Sequence, residues 1–514
     1  MNILFITADQ WRGDCLSAIG HPHVKTPNLD ALAADGVLFK RHYAQSSPCG
    51  PSRTCLYTGM YLQNHRSLLN GTPLDARHTN VALEARKAGY EPALFGYTDI
   101  SLDPRHFDIT DGYEGVLPGV EPVVHLNSAF TPWIDRLREK GYEIPQDDPM
   151  NIFQPQAGFP GSDGKGKTFP PTVYRAEDSN SAFLVDETID YLSTRKDSPW
   201  FVHLSFLSPH PPFIAPEPFH DMYNADEMSL PIRHSSPKKE GAQHPWLEHL
   251  INNQAGTGLT VDAELTDRLS LSEQELQQIK ATYYGMMSEV DAQFGRLVEY
   301  LKSTGVYNDT MIIFTSDHGE NLGDHWAFSK YTYFEHTFHI PLIVRDPSSD
   351  ANQKRGTTVD AFSESVDVMP TILDGIGVDI PAQCDGRSLL PFCRGKPGEG
   401  PRRWRQEYHA ELDLRSPYGV DKAPPLGLEM KHSMFNIIRG ERFKYVHFTA
   451  LPALFFDLEN DPDEFHNLAD DPAYHKEILE YTSKMLSWRM EHDDPALTDL
   501  HLEGYEIVEG IRNI

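Results

Sequence analysis

Four short apolar runs, separated by helical segments, dominate the first two thirds of the chain. We predict strands at Asn2–Thr7, Pro92–Tyr97, Phe201–Leu207 and Thr310–Thr315. We predict one helix that begins at Thr26 and Pro27 and ends at Gly36, and another over Ala82–Ala88. Strands that alternate with helices indicate an α/β fold, in which a large and mainly parallel sheet has helices on both faces.

A long helix is predicted before the last of these strands. Ser272 and Glu275 form the pattern of a capping box at its start. Apolar residues then recur at helical spacing, at Met286, Val290, Phe294, Leu297 and Leu301. By contrast, residues 145–175 and 228–262 are rich in Pro, Gly, Asp and His, so we predict long loops there that cover or rim a site.

The pattern changes after residue 395. Short alternating segments, typical of antiparallel strands, lie at Glu407–Leu412, Phe435–Arg439, Lys444–Phe448 and Phe455–Leu458. Asp471 then begins a helix that reaches about His492. We therefore predict a large α/β domain over residues 1–395 and a smaller C-terminal α+β domain with an antiparallel sheet over residues 396–514. Its tail is placed to pack against a partner subunit.

The chain carries a formal net charge of −30 at pH 7. Nucleic acids and anionic membranes bind basic surfaces, so we expect neither as a partner. The N-terminal apolar run ends at Asp9, and no window approaches the length of a membrane span, so we predict no signal peptide or transmembrane segment. Five sparse cysteines indicate a reducing cytoplasm and no disulfides.

Polar residues suited to catalysis follow each of the four predicted strands. They are Asp9 and Gln10, then Tyr97–Asp99, then Ser208–His210, and finally Ser316–Glu320. The carboxyl ends of parallel strands lie at one sheet edge, where ligands bind. A single carboxylate there is usually a cap or turn residue, but four such ends together favour a site. Asp9, Gln10, Asp317 and His318 form an oxygen-rich set that suits Ca²⁺, Mg²⁺ or Mn²⁺.

The segment Ser47–Cys55 contains two cysteines and an arginine. Arg53 is only four positions after Cys49, too close for a protein tyrosine phosphatase loop, and Cys55 lacks the second pair of a zinc knuckle. A cysteine hydrolase stays possible, and an isolated buried cysteine is ordinarily inert. Gly50–Pro51 fits a helix start, which would place Cys49 at an N-terminus that favours an anion, with Arg53 on the same face. We interpret Cys55 as a buried helix residue.

The chain resembles the formylglycine-dependent sulfatases of the alkaline phosphatase superfamily. Within them it is most similar to the branch of phosphonate monoester hydrolases and their dimeric arylsulfatase relatives. The resemblance covers nearly the whole chain. It rests on Ile6–Arg12, the C-x-P-S-R pattern of Cys49–Arg53, Gly59–Tyr61, Pro209–Phe213, Thr315–Asp324 and Phe455–Ala469.

This resemblance implies a modified cysteine and a metal ion. In the family the motif cysteine is oxidised after synthesis to formylglycine. One hydroxyl of its hydrate attacks sulfur or phosphorus, and collapse of the resulting hemiacetal expels sulfate or phosphonate. A formylglycine-generating enzyme would therefore act on Cys49. The resemblance places one divalent metal ion on Asp9, Asp317, His318 and the modified Cys49, with Gln10 as a further oxygen ligand.

The resemblance also assigns roles around the transferred group. Arg53 would orient the diol. His210 and Lys330 would contact the transferred group and the leaving oxygen, with His210 as the general acid. A lysine at such a loop position is otherwise a solvated surface residue. Asn70 and Tyr97 would complete the pocket.

Asp99 departs from the family pattern. As we align them, related phosphonate hydrolases have a threonine at this position and many sulfatases have a histidine. A carboxylate there would take a proton from the diol or repel a second negative charge on the substrate. Because sulfate and phosphonate monoesters carry one negative charge and phosphate monoesters carry two, we hypothesise that Asp99 disfavours dianions.

We expect a hydrolase of sulfate monoesters that also accepts phosphonate monoesters and phosphodiesters, and the alternative is that these phosphorus esters are the main substrates. A two-metal phosphatase would need a second ligand cluster, for which Asp324, His325 and His336 are the spare candidates. A catalytically silent binding protein is the remaining alternative. Relatives assemble through C-terminal and loop extensions, so the resemblance also implies a homodimer or homotetramer.

Overall fold

The computed structural model describes residues 1–106, 115–126, 129–145, 148–195, 198–253, 259, 261, 268–415, 423–494 and 500–509. Within these residues, a mixed sheet of nine strands forms the centre of the molecule. Its strands are β1 (Asn2–Ala8), β2 (Val37–Tyr43), β3 (Ala93–Gly96), β4 (Glu121–His125), β5 (Phe201–Phe206), β6 (Thr310–Thr315), β7 (His339–Arg345), β8 (Thr357–Val359) and β9 (Ser363–Glu364).

Helices cover both faces of this sheet and fill the connections. In the part of the chain that precedes residue 396, the described helices are α1 (Pro27–Asp35), α2 (Cys49–Thr58), α3 (Leu62–His65), α4 (Val81–Lys87), α5 (Thr131–Glu139), α6 (Asn180–Ser193), α7 (Pro237–Gly241), α8 (Pro245–Asn252), α9 (Glu273–Ser303), α10 (Glu335–Phe338), α11 (Val368–Ile376) and α12 (Leu390–Cys393). The predicted capping box at Ser272 and Glu275 is present at the start of α9.

The strand order is β4-β3-β5-β1-β6-β7-β2-β8, with β9 paired to β2. The pairs are parallel except at β7, which runs antiparallel to β6 and β2. The predicted α/β fold is therefore confirmed, and the four predicted strands correspond to β1, β3, β5 and β6 within one residue at each end. The other strands of this sheet were not predicted.

The central strand β1 contributes side chains to both faces of the sheet. Leu4 and Ile6 belong to one apolar layer, which includes residues of α1, α6 and α9. Ile3 and Phe5 belong to the opposite layer, which includes residues of α2, α4 and α11. A strand buried on both faces has a continuous apolar sequence, which is what Asn2–Ala8 shows.

The prediction of a long loop over residues 228–262 is wrong for part of that range, because α7 and α8 lie within it. Trp246, Leu247, Leu250 and Ile251 form one apolar face of α8, and this face packs against the C-terminal sheet. The Pro and His residues around α8 are typical of loops, so its helical spacing of apolar residues was not recognised. Pro245 nevertheless occupies an early helical position, where proline is tolerated. Residues 254–258, 260 and 262 lie outside the described residues.

The other predicted loop, over residues 145–175, has a short 3₁₀-helix at Pro149–Phe153 and otherwise turns and irregular backbone. Residues 146 and 147 lie outside the described residues. The predicted helix at residue 26 is also confirmed, since Thr26 precedes α1 and Gly36 follows it. The Thr26 hydroxyl does not cap this helix, however, but accepts a hydrogen bond from the Ser17 N–H at 3.1 Å.

The C-terminal region contains the predicted antiparallel sheet. Its strands, in the order β10-β11-β12-β13, are β10 (Tyr408–Asp413), β11 (Met434–Arg439), β12 (Phe443–Phe448) and β13 (Leu454–Asp457). Helix α13 (His475–Glu491) follows, and then a hairpin of β14 (Leu500–Glu503) and β15 (Glu506–Glu509). The division into domains at residue 395 stays a prediction.

The C-terminal sheet meets the segment that leads into α2. Ser46 forms an isolated parallel bridge with Glu411 of β10, and the Glu411 N–H donates to the carbonyl of Gln45 at 2.9 Å. The Glu411 side chain also accepts from the Gln63 N–H at 2.8 Å and pairs with Arg489 of α13 at 2.7 Å. The last quarter of the chain therefore supports the start of α2.

All five cysteines are free thiols. Among the described residues, no helix is both long enough and apolar enough to cross a membrane.

Candidate active site

Cys49 is the first residue of α2, as predicted. All ten residues of this helix are buried, and Cys49 itself is 4% exposed. The Asn70 side-chain oxygen accepts a hydrogen bond from the Gly50 N–H at 2.8 Å, while Gly59 ends the helix with a left-handed backbone (φ 67°). Cys55 is fully buried beside His65, which fits its interpretation as a structural residue.

Two adjacent strands bring the metal-ligand candidates together. In the parallel pair of β1 and β6, Thr7 lies opposite Thr315, so the carboxylates two residues later in each strand emerge at the same sheet edge. Potential ligand atoms of Asp9, Cys49, Asp317 and His318 all lie within 4.8 Å of one another. His318 Nε2 is 3.3 Å from Cys49 Sγ, 3.5 Å from Asp317 Oδ2 and 3.8 Å from Asp9 Oδ1.

The charge state of this cluster suits a divalent cation. Burial would raise the pKa of Asp9, but Lys330, His210 and Arg53 outweigh burial and hold that pKa well below its usual range. Burial lowers the pKa of His318 to about 4. Since its Nδ1 lies 3.0 Å from the Gly319 carbonyl, the neutral ring donates there and turns the Nε2 lone pair to the cluster. Two carboxylates and a neutral imidazole therefore fit a hard divalent metal ion.

The Cys49 thiol is a poor nucleophile in this environment. Burial, followed by the charge of Asp9, raises its pKa well above the ordinary range. Reactive cysteines are partly exposed, and nearby positive charge lowers the pKa of their thiol. Cys49 is only 4% exposed, and its surroundings raise its pKa instead. The surroundings of this thiol therefore do not favour the cysteine hydrolase alternative.

Arg53 is completely buried and links the two carboxylates. Its Nε donates to Asp317 Oδ2 at 3.0 Å, its Nη2 to Asp9 Oδ2 at 3.2 Å, and its Nη1 to Ser205 Oγ at 2.9 Å. The Tyr97 ring lies 4.4 Å from the guanidinium carbon, and its hydroxyl donates to Asp9. The structure thus places the predicted residues Arg53 and Tyr97 at the cluster. Ser205 was not predicted, because nothing in the sequence distinguishes it from other residues of a buried strand.

Lys330 reaches the same point from the loop after β6. Its Nζ is 3.0 Å from Cys49 Sγ and 2.9 Å from Gln10 Oε1, and the residue is only 4% exposed. Burial would lower the pKa of this ammonium, but Cys49 and Asp9 outweigh burial and raise it. The Ser47 hydroxyl donates to the Lys330 carbonyl, which ties this loop to the segment before α2. The alternative of a solvated surface lysine is wrong.

His210 and Asp99 lie at the more open side of the cluster. His210 Nδ1 is 2.6 Å from the Pro211 carbonyl, so this nitrogen donates and Nε2 stays available to a substrate. Burial, and then Lys330, lower the pKa of His210. The Asp99 side chain is 35% exposed and lies 4.0 Å from Arg53 Nε. Burial raises its pKa to about 6 against the influence of Arg53.

Comparison with known proteins identifies the family. The sequence profile described as sulfatase matches residues 1–378. The chain belongs to the sulfatase family. A second profile, for the C-terminal region of N-sulphoglucosamine sulphohydrolase, matches residues 323–491. As a member of this family, the chain is a hydrolase that acts on sulfate or phosphonate esters, and the family generally uses a metal ion and formylglycine.

Individual relatives extend over the whole chain. The multifunctional alkaline phosphatase superfamily protein PehA of Trinickia caryophylli is 42% identical over 509 residues, covering 97% of this chain and 96% of that protein. The crystal structure of the phosphonate monoester hydrolase of Agrobacterium radiobacter has a TM-score of 0.92 at 41% identity, covering 99% of this chain and 100% of that chain. An arylsulfatase of Clostridium perfringens (strain 13 / Type A) is 28% identical over 522 residues, covering 98% of each.

Gln10 makes four polar contacts. Its backbone N–H donates to Asp317 Oδ1 at 3.1 Å, and its carbonyl accepts from the Tyr283 hydroxyl at 2.7 Å. Its Oε1 accepts from Lys330, and its Nε2 donates to Glu320. The role of Gln10 as a further metal ligand stays a prediction. Glu320 lies in the predicted polar segment Ser316–Glu320, but the sequence assigned it no individual role.

The spare ligand candidates of a two-metal phosphatase have other partners in this chain. Asp324 Oδ2 is 2.8 Å from Arg12 Nη1 and 3.3 Å from His336 Nδ1, while His325 Nδ1 is 2.9 Å from Glu240 Oε1. Across the described ranges, the group of Asp9, Cys49, Asp317 and His318 is the one cluster with three or more close ligands. The spare candidates therefore do not form a second ligand cluster within those ranges.

Proposed function

We propose that this chain hydrolyses singly charged esters of phosphonic and sulfuric acids, with a nucleophile derived from Cys49 and one divalent metal ion. The observation that carries the proposal is the convergence of four ligand candidates, Arg53 and Lys330 on the buried N-terminus of α2. Phosphate or sulfate groups bind well at such a point because helix N–H groups and cationic side chains favour an anion.

Phosphonate monoesters are the substrates we favour. The sequence alone favours sulfate monoesters, but a phosphonate monoester hydrolase is 41% identical to this chain and matches 99% of it with a TM-score of 0.92. Sulfate monoesters are the second candidate, because the sulfatase profile and an arylsulfatase at 28% identity also match. Phosphodiesters carry the same single charge and belong to the first group.

Position 49 and its neighbours would hold the reactive groups. Asp9, Asp317, His318 and the modified residue 49 would bind the metal ion, with Gln10 next to them. A divalent cation supplies positive charge that makes a nearby hydroxyl more acidic and polarises the transferred group. Formylglycine, made from Cys49 by a formylglycine-generating enzyme, supplies a hydrated aldehyde with two hydroxyl groups.

The chain's own side chains divide the remaining work. Arg53 holds Asp9 and Asp317 by charge-assisted hydrogen bonds and orients the hydroxyl groups at position 49. Lys330 lies where it can stabilise negative charge on the ester oxygens. In its imidazolium form, which keeps the Nδ1–H on the Pro211 carbonyl, His210 would protonate the leaving oxygen from Nε2. Asn70 fixes the first turn of α2, and Tyr97 holds Asp9. Assembly into a homodimer or homotetramer stays a prediction.

One purified preparation tests this function in three measurements. Mass spectrometry of the peptide that contains Cys49 should show loss of the thiol and gain of an aldehyde or its hydrate. Metal analysis should give one divalent ion per chain, and chelation should abolish turnover until the ion is returned. A panel of phosphonate, diester and sulfate substrates with the same aryl leaving group should rank the phosphonate first by kcat/KM.

Several outcomes would contradict the proposal. An unmodified thiol in active protein would remove the nucleophile, and two tightly bound ions per chain would require the two-metal mechanism. An unmodified thiol without metal or turnover would favour the silent binding protein. A sulfate substrate in first place would favour the second candidate.

A further inference from the structure

We propose that Tyr331 is a specificity-determining residue, whose ring is the surface against which an aromatic leaving group of the ester packs. The inference deepens the proposed function and rests on it, because it concerns the part of the ester that departs with its oxygen. Three observations carry it: the fixed backbone on both sides of Tyr331, the partial exposure of its side chain, and its nearness to position 49.

The backbone around Tyr331 is held by contacts from two other parts of the chain. The Ser47 hydroxyl, just before α2, donates to the Lys330 carbonyl. Trp246 Nε1, in α8, donates to the Tyr331 carbonyl at 3.0 Å. Because these peptide units cannot shift without breaking both contacts, the Tyr331 side chain starts from a point that the fold determines.

Tyr331 is the one partly exposed residue in the segment 327–334. Its neighbours are almost completely buried, since Lys330 is 4% and Thr332 is 1% exposed. The ring packs against the apolar cluster that includes Trp246 and Phe334, and in the described contacts its hydroxyl has no hydrogen-bond partner. A tyrosine in this setting offers an aromatic surface and a polar group to a molecule that binds beside it.

The phenol of Tyr331 lies near the reactive position. Burial raises the pKa of the phenol, Lys330 lowers it, and Cys49 and Asp9 raise it further. Electrostatic influence falls with distance, so these three groups are close to the phenol. Burial also lowers the pKa of His210, and Lys330 lowers it further. The ammonium of Lys330 therefore acts on both the phenol and the proposed general acid.

The leaving group is the part of an ester that this arrangement leaves to Tyr331. The transferred group would occupy the charged cluster, where Asp9, Cys49 and Asp317 are almost completely buried. The leaving group must extend from that cluster toward a more open side, and Tyr331 is partly exposed there. Two aromatic rings attract each other in offset or edge-to-face arrangements, which an aliphatic leaving group cannot form.

Two esters of methylphosphonic acid isolate this contact. Phenyl and hexafluoroisopropyl esters have leaving alcohols of similar acidity, but only the phenyl ester has a ring. We expect the wild type to prefer the phenyl ester by kcat/KM. Tyr331→Leu keeps an apolar side chain without a ring, so it should reduce this preference about 5- to 20-fold. Tyr331→Phe retains the ring and should retain the preference.

Inhibition provides a second readout that does not depend on a variant. Phenol should inhibit wild-type hydrolysis of the hexafluoroisopropyl ester in competition with the substrate, at a concentration at least about fivefold lower than cyclohexanol requires. Tyr331→Leu should remove most of this difference. Equal inhibition of the wild type by phenol and cyclohexanol would contradict an aromatic site.

Tyr300→Leu is the matched control. Tyr300 is also a partly exposed tyrosine, but it lies near the end of α9 and precedes β6, whereas the site follows the other end of that strand. This variant should keep the wild-type preference between the two esters. Thermal unfolding midpoints of all variants show whether each one is folded at the assay temperature.

The results distinguish this inference from the proposed function. If the wild type hydrolyses neither ester nor any other substrate of the panel, the proposed function fails. If the wild type is active but has no preference for the phenyl ester, or if Tyr331→Leu slows both esters equally, the ring of Tyr331 does not contact the leaving group. A loss of preference in Tyr331→Phe as large as in Tyr331→Leu would assign the effect to the hydroxyl and overturn the inference.

Discussion

The buried guanidinium of Arg53 contacts both carboxylates that lie close to position 49. Arg53 contacts Asp9 and Asp317 through two different nitrogens, and all three side chains are 0–1% exposed. Removing one partner of such a buried pair typically costs about 3–5 kcal/mol, because an uncompensated charge stays behind. The contacts of Arg53 therefore hold both carboxylates in place before any cation or substrate binds.

Asp99 is the residue from which we expect selectivity between substrates of different charge. Its partly exposed carboxylate lies 4.0 Å from Arg53, with a left-handed backbone (φ 54°). Asp99→Thr should raise kcat/KM for an aryl phosphate about tenfold relative to an aryl methylphosphonate with the same leaving group, because a repulsive charge is removed. Asp99→Asn, which keeps the shape, should act in the same direction. An unchanged ratio in both variants would contradict the hypothesis.

The sequence was informative about residue types at the site and less so about their contacts. Asp9, Asp317 and His318 could be predicted because each follows an apolar strand that ends at one sheet edge. The contact of Glu320 with Gln10 could not be predicted, because the two residues are 310 positions apart in the sequence. The same reason applies to Ser205, which binds Arg53 from inside a buried strand.

The packing of α9 against α6 includes a buried acid. The Ser179 side chain caps α6 by accepting from the Ala182 N–H at 3.0 Å, and its hydroxyl donates to Glu289 of α9. Glu289 is 2% exposed, and burial raises its pKa to about 7. The contact between these helices therefore depends on the protonation of one carboxyl group.

This acid makes the stability of the fold depend on pH. Since the pKa of Glu289 is higher in the folded protein than the usual value of about 4.3, the folded state binds more protons between these pH values. Its contribution to stability is complete below about pH 4.3 and is lost as the pH rises through about 7. Glu289→Gln should therefore gain about 1–3 kcal/mol in unfolding free energy relative to the wild type between about pH 5 and about pH 8.

Urea unfolding at these two pH values measures the effect. Glu299→Gln, on the exposed side of the same helix, is the control and should follow the wild type at both. A constant difference between Glu289→Gln and the wild type would show that the carboxyl group titrates alike in the folded and unfolded chains.

Helices and strands with a regular recurrence of apolar residues could be predicted from the sequence. Elements that depend on packing against distant parts of the chain could not. Strand β6 and the capping box of α9 follow directly from local sequence. Strand β7 includes Pro341 and runs against the direction of its neighbours, and α8 is short and surrounded by loop-forming residues. Packing against the sheet or the C-terminal strands stabilises these elements, and a single local window does not contain that information.

The molecule as a whole repels the anions that its site attracts. A net charge of −30 surrounds a cluster in which Arg53 and Lys330 provide the nearby positive side chains. The long-range repulsion is screened by salt, because the Debye length falls from about 30 Å at 0.01 M to about 8 Å at 0.15 M. The contacts inside the buried site are screened much less.

We therefore expect sodium chloride to increase the rate of substrate capture. Between about 0.01 M and about 0.15 M, kcat/KM for a monoanionic ester should rise about two- to fivefold, while kcat at saturation stays constant. A dianionic ester should show a steeper rise. A decrease of kcat/KM with salt for both esters would mean that the local positive charge controls approach as well as binding.

The bridge between Ser46 and Glu411 also has a consequence for the order of events during synthesis. Glu411 is 362 residues further along the chain than Cys49. At about 5–20 residues per second, a ribosome needs about 20–70 s to add them. Until then the segment before α2 lacks this backbone partner. The maturation proposed for Cys49 would therefore meet a less restrained segment for the tens of seconds before Glu411 is made.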